Sequence, residues 1–123
     1  MATLKQIKGT AIQFLDADPV LYVGSWASGG TMNTARFGNR NAGTQTAAIT
    51  FGGNTPPFSA LNESYDGSSW TEVGDLNTAR MQPGGSGTST GAAIAFGGLN
   101  HATYHDLTED WNGASWSEIA DMN

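Results

Sequence analysis

The chain has 123 residues, within the size range of one domain, and its 38% hydrophobic and 13% charged residues exclude a charge-driven disordered chain. Its net charge is -6, and the basic residues Lys5, Lys8, Arg36, Arg40 and Arg80 form no cluster, so the phosphate-neutralising footprint of a nucleic-acid binder is missing. With no cysteine there is neither a disulfide framework nor a thiolate metal site, and no run of about 18 apolar residues is present to span a bilayer.

The opening Met1-Ala-Thr-Leu-Lys-Gln-Ile-Lys8 lacks the continuous apolar stretch of a secretory signal, so the chain is expected to be made in the cytoplasm and not exported by the usual route. Residues 1–21 read as a leader. Leu4, Ile7, Ala11, Phe14 and Leu15 fit a helical face, Gly9-Thr10 interrupts it, and strand pairing fits as well. Asp16-Ala-Asp-Pro19 reads as a turn before Val20–Val23. Two roles stay open for the leader: packing on the first repeat, or docking to a larger particle.

From residue 22 to 123 the chain repeats. Trp26, Trp70 and Trp116 mark a period of about 45 residues. Trp26-Ala-Ser-Gly-Gly-Thr-Met-Asn-Thr-Ala-Arg36 is matched by Trp70-Thr-Glu-Val-Gly-Asp-Leu-Asn-Thr-Ala-Arg80, and Trp116-Ser-Glu-Ile-Ala-Asp-Met-Asn123 begins the same phrase. Gly43 to Gly53 matches Gly87 to Gly98 with one inserted residue, and Glu63 to Trp70 matches Glu109 to Trp116. The frame gives two full repeats, 26–69 and 70–115, and the start of a third, 116–123.

Each repeat is expected to hold four short strands. Glycine, at 17 residues, stands at about twice its usual share and suits many tight turns. Thr46–Phe51 and Ala92–Phe96 are uncharged runs suited to a strand covered on both faces; Gly52-Gly53 and Gly97-Gly98 end them where the backbone needs positive φ or close approach. Asp66-Gly67 and Asn112-Gly113 predict two-residue type I′ hairpins, joining strands near Asn62–Tyr65 and Ser69–Val73, and near Leu107–Trp111 and Ser115–Ile119. Period-2 alternation then puts Trp70 and Glu72 on one face, Thr71 and Val73 on the other.

The Gly-Gly doublet, the later aromatic Tyr65 or Trp111, the following Trp70 or Trp116, and 11 residues counted from a Trp to Arg36 or Arg80 resemble the kelch repeat. Tyr65 to Trp70 is shorter than the usual spacing there, which bears on the third-to-fourth strand turn. Asn-Thr-Ala-Arg, Ala-Gly-Thr-Gln-Thr-Ala-Ala, Phe-Gly-Gly and Asp-Gly-Ser-Ser-Trp, with the leader, are similar to the repeat arrays of marine bacteriophage and cyanophage structural proteins. The resemblance implies an all-β chain of kelch-like β-propeller blades behind a short leader, serving as a virion component, a tail or head fibre. It implies attachment to other virion proteins through the leader, a homo-oligomer with a trimer favoured, and a host-surface glycan or protein receptor met by the loops after the Gly-Gly pairs. It also implies no enzyme activity and no cofactor. The alternatives are a cellular kelch-type interaction scaffold and a carbohydrate-active propeller enzyme. Propellers close with about four to eight blades. The two repeats here are therefore expected to belong to a longer array, or to be pooled among several copies.

No motif points to chemistry. His101 and His105 are four apart but fall in a region read as loop, with Asn54-Thr-Pro-Pro57 in the corresponding place, so they read as loop decoration rather than metal ligands. Asp106, Glu109 and Asp110 read as a solvated face. Gly84–Gly91 lacks the Lys of a phosphate-binding loop and, like Gly38–Gly43, reads as turn. Asn62-Glu-Ser64 meets the glycosylation pattern without a secretion signal to go with it. Trp26, Trp70 and Trp116 recur at the repeat period and are expected in the core rather than on a sugar-stacking platform, with Trp111 less tightly placed. Arg36 and Arg80 are expected to hold hydrogen bonds or ion pairs between repeats.

Overall fold

The computed structural model describes residues 24–123, which carry ten β-strands and no helix. The leader expectations for residues 1–21, with the turn expected before Val20–Val23, lie outside the described residues. The first sheet is an antiparallel meander of β1 (Arg40–Thr44), β2 (Ala47–Phe51), β3 (Asn62–Tyr65) and β4 (Trp70–Val73). The second repeats it with β5 (Gly84–Ser89), β6 (Ala92–Phe96), β9 (Thr108–Trp111) and β10 (Trp116–Ile119). Between β6 and β9 a small ribbon is inserted, β7 (Leu99–Asn100) with β8 (Thr103–Tyr104). The chain is all-β, with a four-stranded antiparallel sheet in each repeat.

Trp70 and Trp116 open the last strand of each sheet. The sheets therefore span 40–73 and 84–119, one strand out of phase with a frame counted from Trp to Trp, and residues 116–119 complete the second sheet.

Two local expectations are corrected. The Asp66-Gly67 and Asn112-Gly113 turns are not two-residue type I′ loops. Tyr65 pairs with Trp70 and Trp111 with Trp116, leaving four residues in each loop. Only Gly67 and Gly113 take positive φ, 98° and 95°. Asp66 Oδ1 accepts from the Ser68 and Ser69 amides, both at 2.8 Å, and Asn112 Oδ1 accepts from Ala114 and Ser115 at 2.9 and 3.0 Å. The side-chain oxygen stands in for a backbone acceptor, so the residue ahead of the glycine needs no left-handed conformation.

The second correction concerns Gly84–Gly91, of which only Thr90-Gly91 is turn: residues 84–89 form β5, and the corresponding stretch 38–43 runs into β1. Glycine is needed here because another sheet lies against the strand. A Cβ at Gly85 would stand 2.6 Å from the Phe51 ring.

The core is the interface between the sheets, which approach most closely along their first strands, β1 and β5. Ile49 and Phe51 alternate onto one face of the first sheet and, with Leu76, meet Ala93, Ala95, Trp111 and Trp116 of the second. Phe51 packs edge-on to Trp116, ring centroids 4.9 Å apart, and Trp111 lies 5.5 Å from Trp116. Complete burial of such a ring is worth about 1.5–3 kcal/mol.

The tryptophans divide differently from the expectation. Trp111 and Trp116 are buried, Trp70 is half-buried, and Trp26 is fully exposed. Trp116 is covered because the first sheet lies against it. Trp70 has on its face the segment at Gly30, whose carbonyl accepts its indole N–H at 3.1 Å, and Trp26 belongs to no strand.

Candidate binding surface at the Gly-Gly ends

Before each sheet runs an Asn-Thr-Ala-Arg segment that the sheet clasps through one buried glutamate. Glu63, in β3, accepts from the Asn33 amide (2.7 Å), the Asn33 side chain (3.1 Å), the Thr34 amide (3.3 Å) and Arg36 Nη2 (2.8 Å). Glu109, in β9, accepts from the Asn77 amide (2.7 Å), the Asn77 side chain (2.9 Å) and Arg80 Nη1 (2.5 Å). The Asn side chains also donate to the Trp70 and Trp116 carbonyls, at 3.0 and 3.1 Å.

The carboxylate and guanidinium of each pair are withdrawn from water. Burial pushes the Arg36 guanidinium below its ordinary value, against the charges of Glu63, Asp75 and Glu72 that push it up. The ion pairs expected of Arg36 and Arg80 between repeats instead form within a repeat, each Arg meeting the buried glutamate of the sheet that follows it. Glu109 belongs to one of them and not to a solvated face, while Asp106 and Asp110 are exposed. Arg80 also joins the sheets through its backbone, its carbonyl accepting from the Gly53 amide at 2.9 Å and its amide donating to Ser59 at 3.2 Å.

The glycine pairs then turn the chain outward. Gly52, Gly53, Gly97 and Gly98 all take positive φ, and a Cβ on Gly52 would stand 2.7 Å from the Arg80 carbonyl. Beyond them each repeat builds a narrow ribbon on the same plan. In the first, Phe37 pairs with Asn54 and Asn54 with Phe58; in the second, Met81 pairs with Leu99 and Leu99 with Tyr104. The two ribbons touch. The Phe58 and His101 rings meet edge to face at 4.9 Å, and the Asn54 side-chain amide lies 3.9 Å from the Met81 sulfur.

Phe37 is 60% exposed and Tyr104 84%, so aromatic rings stand in water at this end among amides, hydroxyls and an imidazole. Rigid aromatics with adjacent polar groups are what contact surfaces use to stack on a partner and orient it. His101 serves this ribbon, at φ 48°, and among the described residues no three His, Cys, Asp or Glu side chains converge on a metal-sized site. A separate open groove of about 610 Å³ lies between residues 24–29 and the first sheet, lined by Trp26, Tyr65, Gln45 and Thr46.

Of the repeat residues read from the sequence, Arg36 and Arg80 sit in the clasps, and Gly52, Gly53, Gly97 and Gly98 launch the ribbons. Gly67 and Gly113 shape the hairpins, while Tyr65, Trp70, Trp111 and Trp116 pave one face of each sheet. Trp26 joins none of these groups. From the sequence, Asn33, Asn77 and Glu63 are given no role and Glu109 only a solvated one, although their recurrence in the repeat is the signal for them. Asn62, in the glycosylation pattern, is fully buried with its amide on the Gly74 carbonyl. The chain matches no family model and no curated protein.

Proposed function

We propose that the two sheets are kelch-like propeller blades and that the chain is a virion fibre component, attached to the particle through its leader and meeting a host-surface glycan or protein with its loops. The observation that carries the blade reading is the recurrence of one contact set, clasp, meander and ribbon, in both repeats, with sheets stacked face to face and nearest at their first strands. Four-stranded sheets set around a common axis make a propeller. The fibre reading draws on the phage-like phrases of the repeat. The loop surface, with Phe37, Phe58, His101 and Tyr104 gathered at one end, suits receptor contact.

The chain works by binding rather than by chemistry. The two buried carboxylates among the described residues, Glu63 and Glu109, are engaged by the chain's own Asn and Arg side chains, which leaves neither poised for acid–base work.

Two measurements test this. Mass spectrometry of purified particles should find peptides of this chain, and their absence would remove the fibre assignment. The isolated protein should bind host cells without turning over their glycans, and Tyr104→Ala combined with Phe37→Ala should lower that binding by about tenfold or more. Undiminished binding would move the receptor site elsewhere.

A further inference from the structure

We infer that the Ile94/Phe96 face of the second sheet docks on the Tyr65/Trp70 face of a second copy of this chain, head to tail. The inference rests on the blade reading above and adds to it the partner and the surface.

The internal interface supplies the pattern. Ile49, Phe51 and Leu76 on the outgoing side of the first sheet are 0%, 0% and 4% exposed because the Trp111/Trp116 face of the second sheet covers them. Their repeat counterparts on the outgoing side of the second sheet are Ile94, Phe96 and Met122. Met122 is placed as Leu76 is, its amide donating to the Asp106 carbonyl just as the Leu76 amide donates to Ala60. Yet Met122 is 43% exposed, Ile94 and Phe96 are only half-buried, and Ile119 is 46% exposed. An apolar face of this kind marks an interaction site.

What covers it follows from the same repeat. Tyr65 and Trp70, 4.9 Å apart on the incoming face of the first sheet, are the counterparts of the Trp111/Trp116 pair that receives Phe51. The chain therefore presents at one end the side chains that its own middle pairs with those at the other. Such an interface is heterologous, and successive copies close into a ring when the rotation permits. Two to four copies would supply about four to eight sheets.

One residue departs from the pattern: Asn41 holds the place of Gly85, the glycine whose missing side chain admits Phe51. Trp26–Gly29 of the incoming copy falls, by the repeat frame, at the edge strand β10; it belongs to no strand, and docking requires that it move aside.

Sedimentation velocity of the chain over a concentration series tests the inference. The mass should rise with concentration and stop at a small multiple of the monomer. Met122→Asp, at an exposed position, and Phe96→Asp should each weaken association by about tenfold or more, because a carboxylate would enter an apolar contact. Asn41→Gly should strengthen it. Met122→Asp and Trp70→Asp chains, each folded by circular dichroism and each unable to grow alone, should form a one-to-one complex when mixed, since each retains the face the other lacks. A chain that stays monomeric with both sheets intact overturns the second copy as partner and leaves the blade reading standing. An oligomer indifferent to Met122→Asp and Phe96→Asp overturns it too. So does a longer product of the same reading frame that is monomeric because a further repeat covers this face.

Discussion

Glu63 and Glu109 show how little a residue's type says about its place. Both lie in strands, both are buried, and each gathers an Asn side chain, that Asn's backbone amide and an Arg guanidinium. A buried ion pair adds little net stability over an apolar substitute, but removing one partner leaves the other charge stranded. Glu109→Ala is therefore expected to cost about 3–5 kcal/mol in urea unfolding, a large part of a small domain's total. Glu109→Gln keeps an oxygen for Asn77 and should cost less. Equal small losses for the two would mean that Arg80 finds water instead. The recurrence of Glu63 and Glu109 is visible in the sequence, but their burial is not, because a carboxylate beside Asp106 and Asp110 is ordinarily a surface group. Only the return of the Asn-Thr-Ala-Arg segment across the strand makes burial tolerable.

Among the elements, the β3–β4 and β9–β10 hairpins are two solutions to one turn, with Asp66 in the first and Asn112 in the second. Amide bonds from Ser69 and Ser68 hold the Asp66 carboxyl well below the usual carboxylate range. A carboxyl whose folded value is depressed contributes stability that is present above its ordinary value and is lost as pH falls through the lower folded one. Asp66→Asn gives the first hairpin the side chain of the second, so its turn should no longer respond to acid. Thermal unfolding measured from neutral pH downward should show a smaller acid loss for Asp66→Asn than for the parent. Superimposable curves would show that the turn carries no such linkage. Asp-Gly and Asn-Gly were enough to locate both hairpins in the sequence, and the strands on either side fall within a residue or so of their expected limits. The loop length was not legible, since a side-chain acceptor and a type I′ backbone both use these residues. The glycine-rich β5 was hidden for a related reason: Gly85 answers to Phe51, a residue from another sheet.

Over the whole molecule the repeat is clear in the sequence, but the environment of each copy is not, because a repeat unit does not record what lies beyond it. Phe51 and Phe96 occupy the same place in their sheets; the first is fully buried by the following sheet and the second has no following sheet among the described residues. At concentrations too low for copies to associate, Phe51→Ala should cost about 3–5 kcal/mol. Phe96→Ala should cost less, since part of its ring is already in water. With rising concentration the order should change. The proposed association through the Phe96 face would stabilise the folded chain by mass action, so the parent's unfolding midpoint should climb with concentration while that of Phe96→Ala climbs less. The gap between Phe96→Ala and the parent then widens, whereas the gap for Phe51→Ala stays nearly constant, because Phe51 acts within one chain. Thermal unfolding of the three proteins over a concentration series would read both trends at once. A Phe96→Ala cost that does not change with concentration would confine the contribution of this ring to its own sheet.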